Sequence, residues 1–65
     1  MKKQLIRTSG TRNLFIVYDE KRCFYVVSTG EIKINKNGDV TSDNVLYSSN
    51  YLQYCLKYFE KGGQK

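Results

Sequence analysis

The stretch Leu14-Phe15-Ile16-Val17-Tyr18-Asp19-Glu20-Lys21-Arg22-Cys23-Phe24-Tyr25-Val26-Val27 decides the fold. Two apolar runs rich in aromatic and β-branched residues flank a charged tetrad, and that composition suits a pleated surface. A two-residue turn at Glu20-Lys21 predicts a hairpin with Asp19 opposite Arg22, an opposite-charge cross-strand pair. In that register one face presents Phe15, Val17, Phe24 and Val26, and the other Leu14, Ile16, Tyr18, Cys23, Tyr25 and Val27. Both faces are apolar, whereas an antiparallel sheet usually turns a polar face to water. The sheet therefore has to curl or meet another molecule on its second side.

On the N-terminal side, residues Lys2 to Thr8 read as a first strand ended by Ser9-Gly10. On the C-terminal side, Glu31 to Lys36 and Asp39 to Thr41 flank Asn37-Gly38, a pair suited to a type I′ turn with positive φ at both positions. The alternation of Ile32 and Ile34 with Lys33 and Asn35 marks a strand with one wet face. From Tyr51 to Phe59 the period changes. Leu52, Cys55, Leu56 and Phe59 follow the i, i+3, i+4, i+7 spacing of a helix. Ser48, Ser49 and Asn50 offer N-caps, Asn50 with Gln53 resembles a capping box, and Lys61 before Gly62-Gly63 reads as a stop. The expected fold is α+β: a small antiparallel β-meander of three to five strands followed by one C-terminal α-helix packed on the sheet. Residues 1–61 form the single domain and 62–65 a flexible tail.

A chain of 65 residues buries only about 60% of its unfolded surface, so a partner is a natural source of added stability. Cys23 and Cys55 are the only cysteines, and no apolar run follows the charged N-terminus as in a signal peptide. Free thiols in a cytoplasmic setting are the expectation. No membrane span is expected. With no histidine and two thiols, the sequence suggests neither a metal site nor a cofactor.

The same inventory argues against an enzyme. Asp19 and Glu20 are adjacent in a turn, where neighbouring side chains diverge. Neither cysteine has a visible activating base. Gly10, Gly30, Gly38, Gly62 and Gly63 match no phosphate-loop spacing. No small-molecule substrate is expected.

Two features point to binding. Tyr51, Tyr54 and Tyr58 form a helical stripe beside the apolar face, which Tyr47 extends if the helix starts early. Tyrosine is enriched at interfaces because it joins a large ring to a polar tip. With Tyr18 and Tyr25 from the hairpin, these rings are the candidate partner-binding residues. The second feature is charge. The chain carries +5, and residues 1 to 22 hold Lys2, Lys3, Arg7, Arg12, Lys21 and Arg22 against two acids. These six are the candidate nucleic-acid contacts, expected as a positive patch around Gly10. An A/T-rich genome also explains many lysines, since the chain lacks Ala, Pro, Trp and His and favours residues with A/T-rich codons.

A sheet of about three strands followed by one helix resembles small DNA-binding modules such as the arm-site-binding domains of some integrases, at the level of fold alone. The sequence thus predicts a small non-enzymatic binding protein acting by surface contact. It would regulate or inhibit a protein or nucleoprotein complex, as proteins of phages and mobile elements do. A basic nucleic-acid-binding accessory domain and a homodimer without further activity are the alternatives.

Overall fold

Residues 2–61 are described by the computed structural model. They form β1 (Lys2–Ser9), β2 (Arg12–Tyr18), β3 (Cys23–Ser28), β4 (Val45–Ser49) and α1 (Leu52–Lys61). The strands lie side by side in the order β1-β2-β3-β4, each antiparallel to the next. The expected meander and C-terminal helix are both present. The expected tail, and the Gly62-Gly63 stop, lie outside the described residues.

The central hairpin has the expected register, with Tyr18 opposite Cys23 and Phe15 opposite Val26. Asp19 N donates to Arg22 O at 2.9 Å to close the turn. The Asp19 carboxylate accepts from the amides of Lys21 and Arg22, at 2.8 and 2.7 Å, so its hydrogen bonds secure the turn's backbone. The β1–β2 turn places Gly10 at φ +62°, the left-handed region that a residue without Cβ enters freely.

The second expected hairpin is present in shortened form, and its strand lengths and turn type are corrected. Between Ser28 and Val45 the chain forms no named strand, and Ile34 and Val40 make a single antiparallel bridge. The Asn37-Gly38 turn is not type I′, because among the described residues no non-glycine has positive φ, so within this pair Gly38 alone does, at +89°. Gly38 N donates to Asn35 O at 3.1 Å, and Asn35 N donates to Asp39 O at 3.0 Å. The Asn35 side chain decides this geometry: its Oδ1 accepts from Asn37 N and Asp39 N, both at 2.9 Å. The result is a three-residue loop with a left-handed glycine at its end.

This connection supplies the cover that the sequence lacked on paper. Fully buried Ile32, with Ile34 and Val40, packs on Phe15, Val17, Phe24, Val26 and Val45. On the opposite side of the sheet, Cys55 and Phe59 of α1 pack with Leu14 and Val27. Of the two expected outcomes, a curled sheet or a second molecule on this face, neither is needed to bury Phe15, Val17 and Val26, because the chain's own connection covers them. Full burial of a large aliphatic side chain contributes about 1.5–3 kcal/mol, so Ile32 alone is a good reason for the loop to fold back.

The fourth strand is Val45–Ser49, which also corrects the reading of Tyr47 as a helical extension. A bulge in β4 sets Val45 opposite Ser28 and Tyr47 opposite Val27. It sends Val45 to the loop side and Tyr47 to the helix side. The capping box does not form: Tyr51 O accepts the first helical bonds, from Tyr54 N and Cys55 N, and Ser49 Oγ accepts from Tyr51 N. No described helix is long and apolar enough to cross a membrane.

Candidate interaction surface

The tyrosines follow from the two periods of the chain. Tyr54 and Tyr58 lie on one flank of α1, and Tyr51, which immediately precedes the helix, continues their spacing, while Cys55 and Phe59 turn inward. Tyr47 reaches the same flank from β4. Its ring stacks on Tyr58 with centroids 5.1 Å apart and planes 10° from parallel. Tyr51 and Tyr54 meet edge to face at 5.6 Å and 78°. Tyr51 is 61% exposed, Tyr54 51% and Tyr58 39%. Tyr47 is half-buried. Four of the six candidate tyrosines thus share one surface, where α1 meets the edge strand β4.

The other two stand elsewhere. Tyr25 is half-buried on β3, packed against the cluster of Leu14, Val27, Cys55 and Phe59. Its carbonyl accepts a weak bond from Cys55 Sγ at 3.6 Å. Tyr18 lies at the end of β2, lining a shallow hollow with Lys2, Asp19 and Glu20.

The six candidate cations do not form one patch around Gly10. Arg7 stands opposite Leu14 and Arg12 opposite Ser9, close to that turn. Lys2 stands opposite Tyr18 and Lys3 opposite Val17, at the far end with Lys21 and Arg22. Antiparallel pairing causes this, because it returns the start of β1 to the end of β2. Six strand intervals separate Arg12 from Tyr18, about 20 Å at roughly 3.3 Å each. That exceeds two Debye lengths of about 8 Å at physiological salt, so Arg12 acts separately from Lys21 and Arg22.

Two of these cations also hold the connection in place. Lys3 Nζ pairs with Glu31 Oε1 at 2.9 Å and donates to Ile32 O. Arg22 Nη2 donates to Asn37 O at 2.9 Å. Both bonds tie the loop carrying Ile32 to the sheet.

Hydrogen bonds from the amides of Lys21 and Arg22 hold the exposed Asp19 carboxyl below its usual pKa of 3.8. Cys23 is exposed and Cys55 buried. Burial pushes the Cys55 thiol up, which disfavours the nucleophilic thiolate. Among the described residues no three His, Cys, Asp or Glu side chains gather into a group that could hold a metal ion. An open groove of about 380 Å³ runs between the loop and the sheet, with Phe24, Val26, Val40 and Val45 along its apolar side.

Sequence reasoning missed three exposed apolar side chains, Leu5, Ile6 and Leu46. Ile6 and Leu46 are the residues passed over where β1 and β4 change register. No short sequence signal marks such bulges here, because neither contains glycine. Comparison with protein-family models, with curated proteins and with solved structures finds no match to this chain.

Proposed function

We propose that this chain is a small non-enzymatic binding protein that acts by surface contact, regulating or inhibiting a protein or nucleoprotein complex, in the manner of proteins encoded by phages and mobile elements. The observation that carries the reading is the exposure of Tyr51, Tyr54 and Tyr58 along one flank of α1, beside Tyr47. The core does not require Tyr51 and Tyr54: Leu14, Val27, Cys55 and Phe59 already close this side of the sheet. Rings left in water on a domain with little core are suited to burial against a partner, where tyrosine is a frequent energetic anchor.

The division of the cations favours a protein surface over a nucleic acid as the principal target. A phosphate backbone is best followed by a continuous positive track. Here Lys3 and Arg22 bond to the loop, and Arg7 and Arg12 lie at the other end of the sheet. Capture from a cell lysate, with and without nuclease, tests the reading. A partner retained after nuclease treatment and lost by Tyr51→Ala/Tyr54→Ala is the expected result. Retention by that double variant, or loss of all capture on nuclease treatment, counts against it.

A further inference from the structure

The opposite edge of the sheet is β1, which the tyrosine surface does not use. β1 is the longest strand, pairs with β2 alone, and is exposed at each of its eight residues. Helix α1 packs on β2, β3 and β4 and leaves β1 uncovered. The strand holds Lys2, Lys3 and Arg7 and no acid. Leu5 and Ile6 are 48% and 45% exposed between them.

The bulge arranges these charges. Leu5 stands opposite Phe15 and Arg7 opposite Leu14, so Ile6 is the extra residue. Lys2 stands opposite Tyr18. Tyr18 and Leu14 are four residues apart and lie on one face of β2, since strand side chains alternate. Arg7 therefore shares a face with Lys2, with Gln4 between them. In an unbulged strand the five-residue spacing would send them to opposite faces. Lys3 points to the other face, where Glu31 already pairs with it. Among the described residues, no side-chain hydrogen bond or ion pair engages Lys2 or Arg7.

Lysines on an edge strand discourage pairing between copies. Antiparallel pairing of β1 with a second β1 about Gln4 and Leu5 sets Lys2 against Arg7, and parallel pairing sets Lys2 beside Lys2. Like charges directly opposite are destabilising. The same electrostatics favour a strand of opposite sign. A nucleic acid would satisfy the cations, yet it has no alternating amide ladder for the strand's outward N–H and C=O groups and nothing to cover Leu5.

We propose that β1 docks an extended acidic segment of a partner polypeptide, added antiparallel as a fifth strand. Two carboxylates four residues apart meet Lys2 and Arg7, and an apolar side chain next to the first of them lies against Leu5. This surface is separate from the tyrosines, so it stands or falls independently of them.

The test uses capped peptides with the core Glu-Val-Thr-Thr-Glu in a Thr-rich frame, and an isomer, Glu-Val-Thr-Glu-Thr, whose glutamates fall on opposite faces. Binding is read by fluorescence anisotropy at low salt and by hydrogen exchange of the β1 amides. The first peptide is expected to bind at least fivefold more tightly than the isomer and to slow exchange along β1 about tenfold. Lys2→Glu/Arg7→Glu should abolish binding and accept a peptide with lysines in place of the glutamates. Tyr51→Ala/Tyr54→Ala should leave all of this unchanged. Equal binding of the two isomers, or binding without protection of β1, overturns the proposal. So does an oligonucleotide that binds through Lys2 and Arg7 more tightly than the peptide, or β1-mediated self-association of the unmodified protein.

Discussion

Tyr47 of β4 and Tyr58 of α1 stack with ring centroids 5.1 Å apart and planes 10° from parallel, fastening the helix to the margin of the sheet. The contact divides the tyrosine surface into a structural pair and a more exposed pair. Tyr47→Ala and Tyr58→Ala should each lower stability by about 1–2 kcal/mol. Their double-mutant cycle should show coupling of about 0.5–1.5 kcal/mol. Tyr51→Ala and Tyr54→Ala should stay within about 0.5 kcal/mol of the parent, as exposed substitutions usually do. Urea denaturation measures all four. Absence of coupling between positions 47 and 58 would mean that the stack contributes nothing.

Ile32 is fully buried although it belongs to no named strand or helix. Ile32→Ala should therefore cost about 2–5 kcal/mol, the range for truncating a core isoleucine, and Ile32→Val about 0.5–1.5 kcal/mol. A 65-residue chain has only about 3–10 kcal/mol of total stability at typical values per residue. The alanine variant should approach global unfolding, detectable by circular dichroism. A cost below about 0.5 kcal/mol would show that the connection does not cover the sheet in solution.

The hairpin, its two apolar faces and the inward side of the helix were legible because alternation and 3.6-residue spacing are local patterns. Phe15 and Val26 could be assigned to one face from sequence alone, and they share a cluster. The covering role of Ile32, Ile34 and Val40 was not legible. Their alternation is equally that of an extra strand in the meander, and only the tertiary fold directs it onto the sheet. Tyr47 shows the same limit: Tyr47, Tyr51, Tyr54 and Tyr58 fit one helical stripe, yet pairing of Tyr47 with Val27 places it in a strand. The tyrosine surface was nonetheless recoverable, because strand and helix deliver those rings to one margin. The cationic patch was not, because linear clustering ignores the reversal between β1 and β2.

Asp19 secures the central turn through backbone amides, and those bonds favour its charged form. Its pKa is depressed in the folded state, so the stabilisation is present above the usual 3.8 and is lost as pH falls through the lower folded value. Asp19→Ala should lower the melting temperature at pH 7 and remove this part of the acid dependence. Asp19→Asn keeps an Oδ1 acceptor and should retain more of the turn than alanine while abolishing the titration. Thermal melts between pH 2 and pH 7 are the check. Equal melting temperatures for the parent and Asp19→Ala at pH 7 would remove the turn from the account of stability.

The two thiols should differ in both reactivity and pH response. Cys23 is exposed and Cys55 buried, so an aromatic disulfide reagent should modify Cys23 in the native protein and reach Cys55 only through opening of the fold. Burial raises the Cys55 pKa above its ordinary 9.0, against a smaller opposing effect from the Ser49 backbone. The unfolded thiol then ionises first as pH rises. Stability linked to Cys55 is complete below about pH 9 and declines between that value and the higher folded pKa. Tyr25 shifts in the same direction, chiefly through its hydrogen bond with the Cys23 side chain, but from an ordinary value of 10.0, so its effect begins later. Urea midpoints from pH 8 to pH 10.5 should therefore begin to fall above about pH 9, and Cys55→Ala should reduce that decline. If Cys55→Ala leaves the decline above pH 9 unchanged, the helix does not seal its thiol against the sheet.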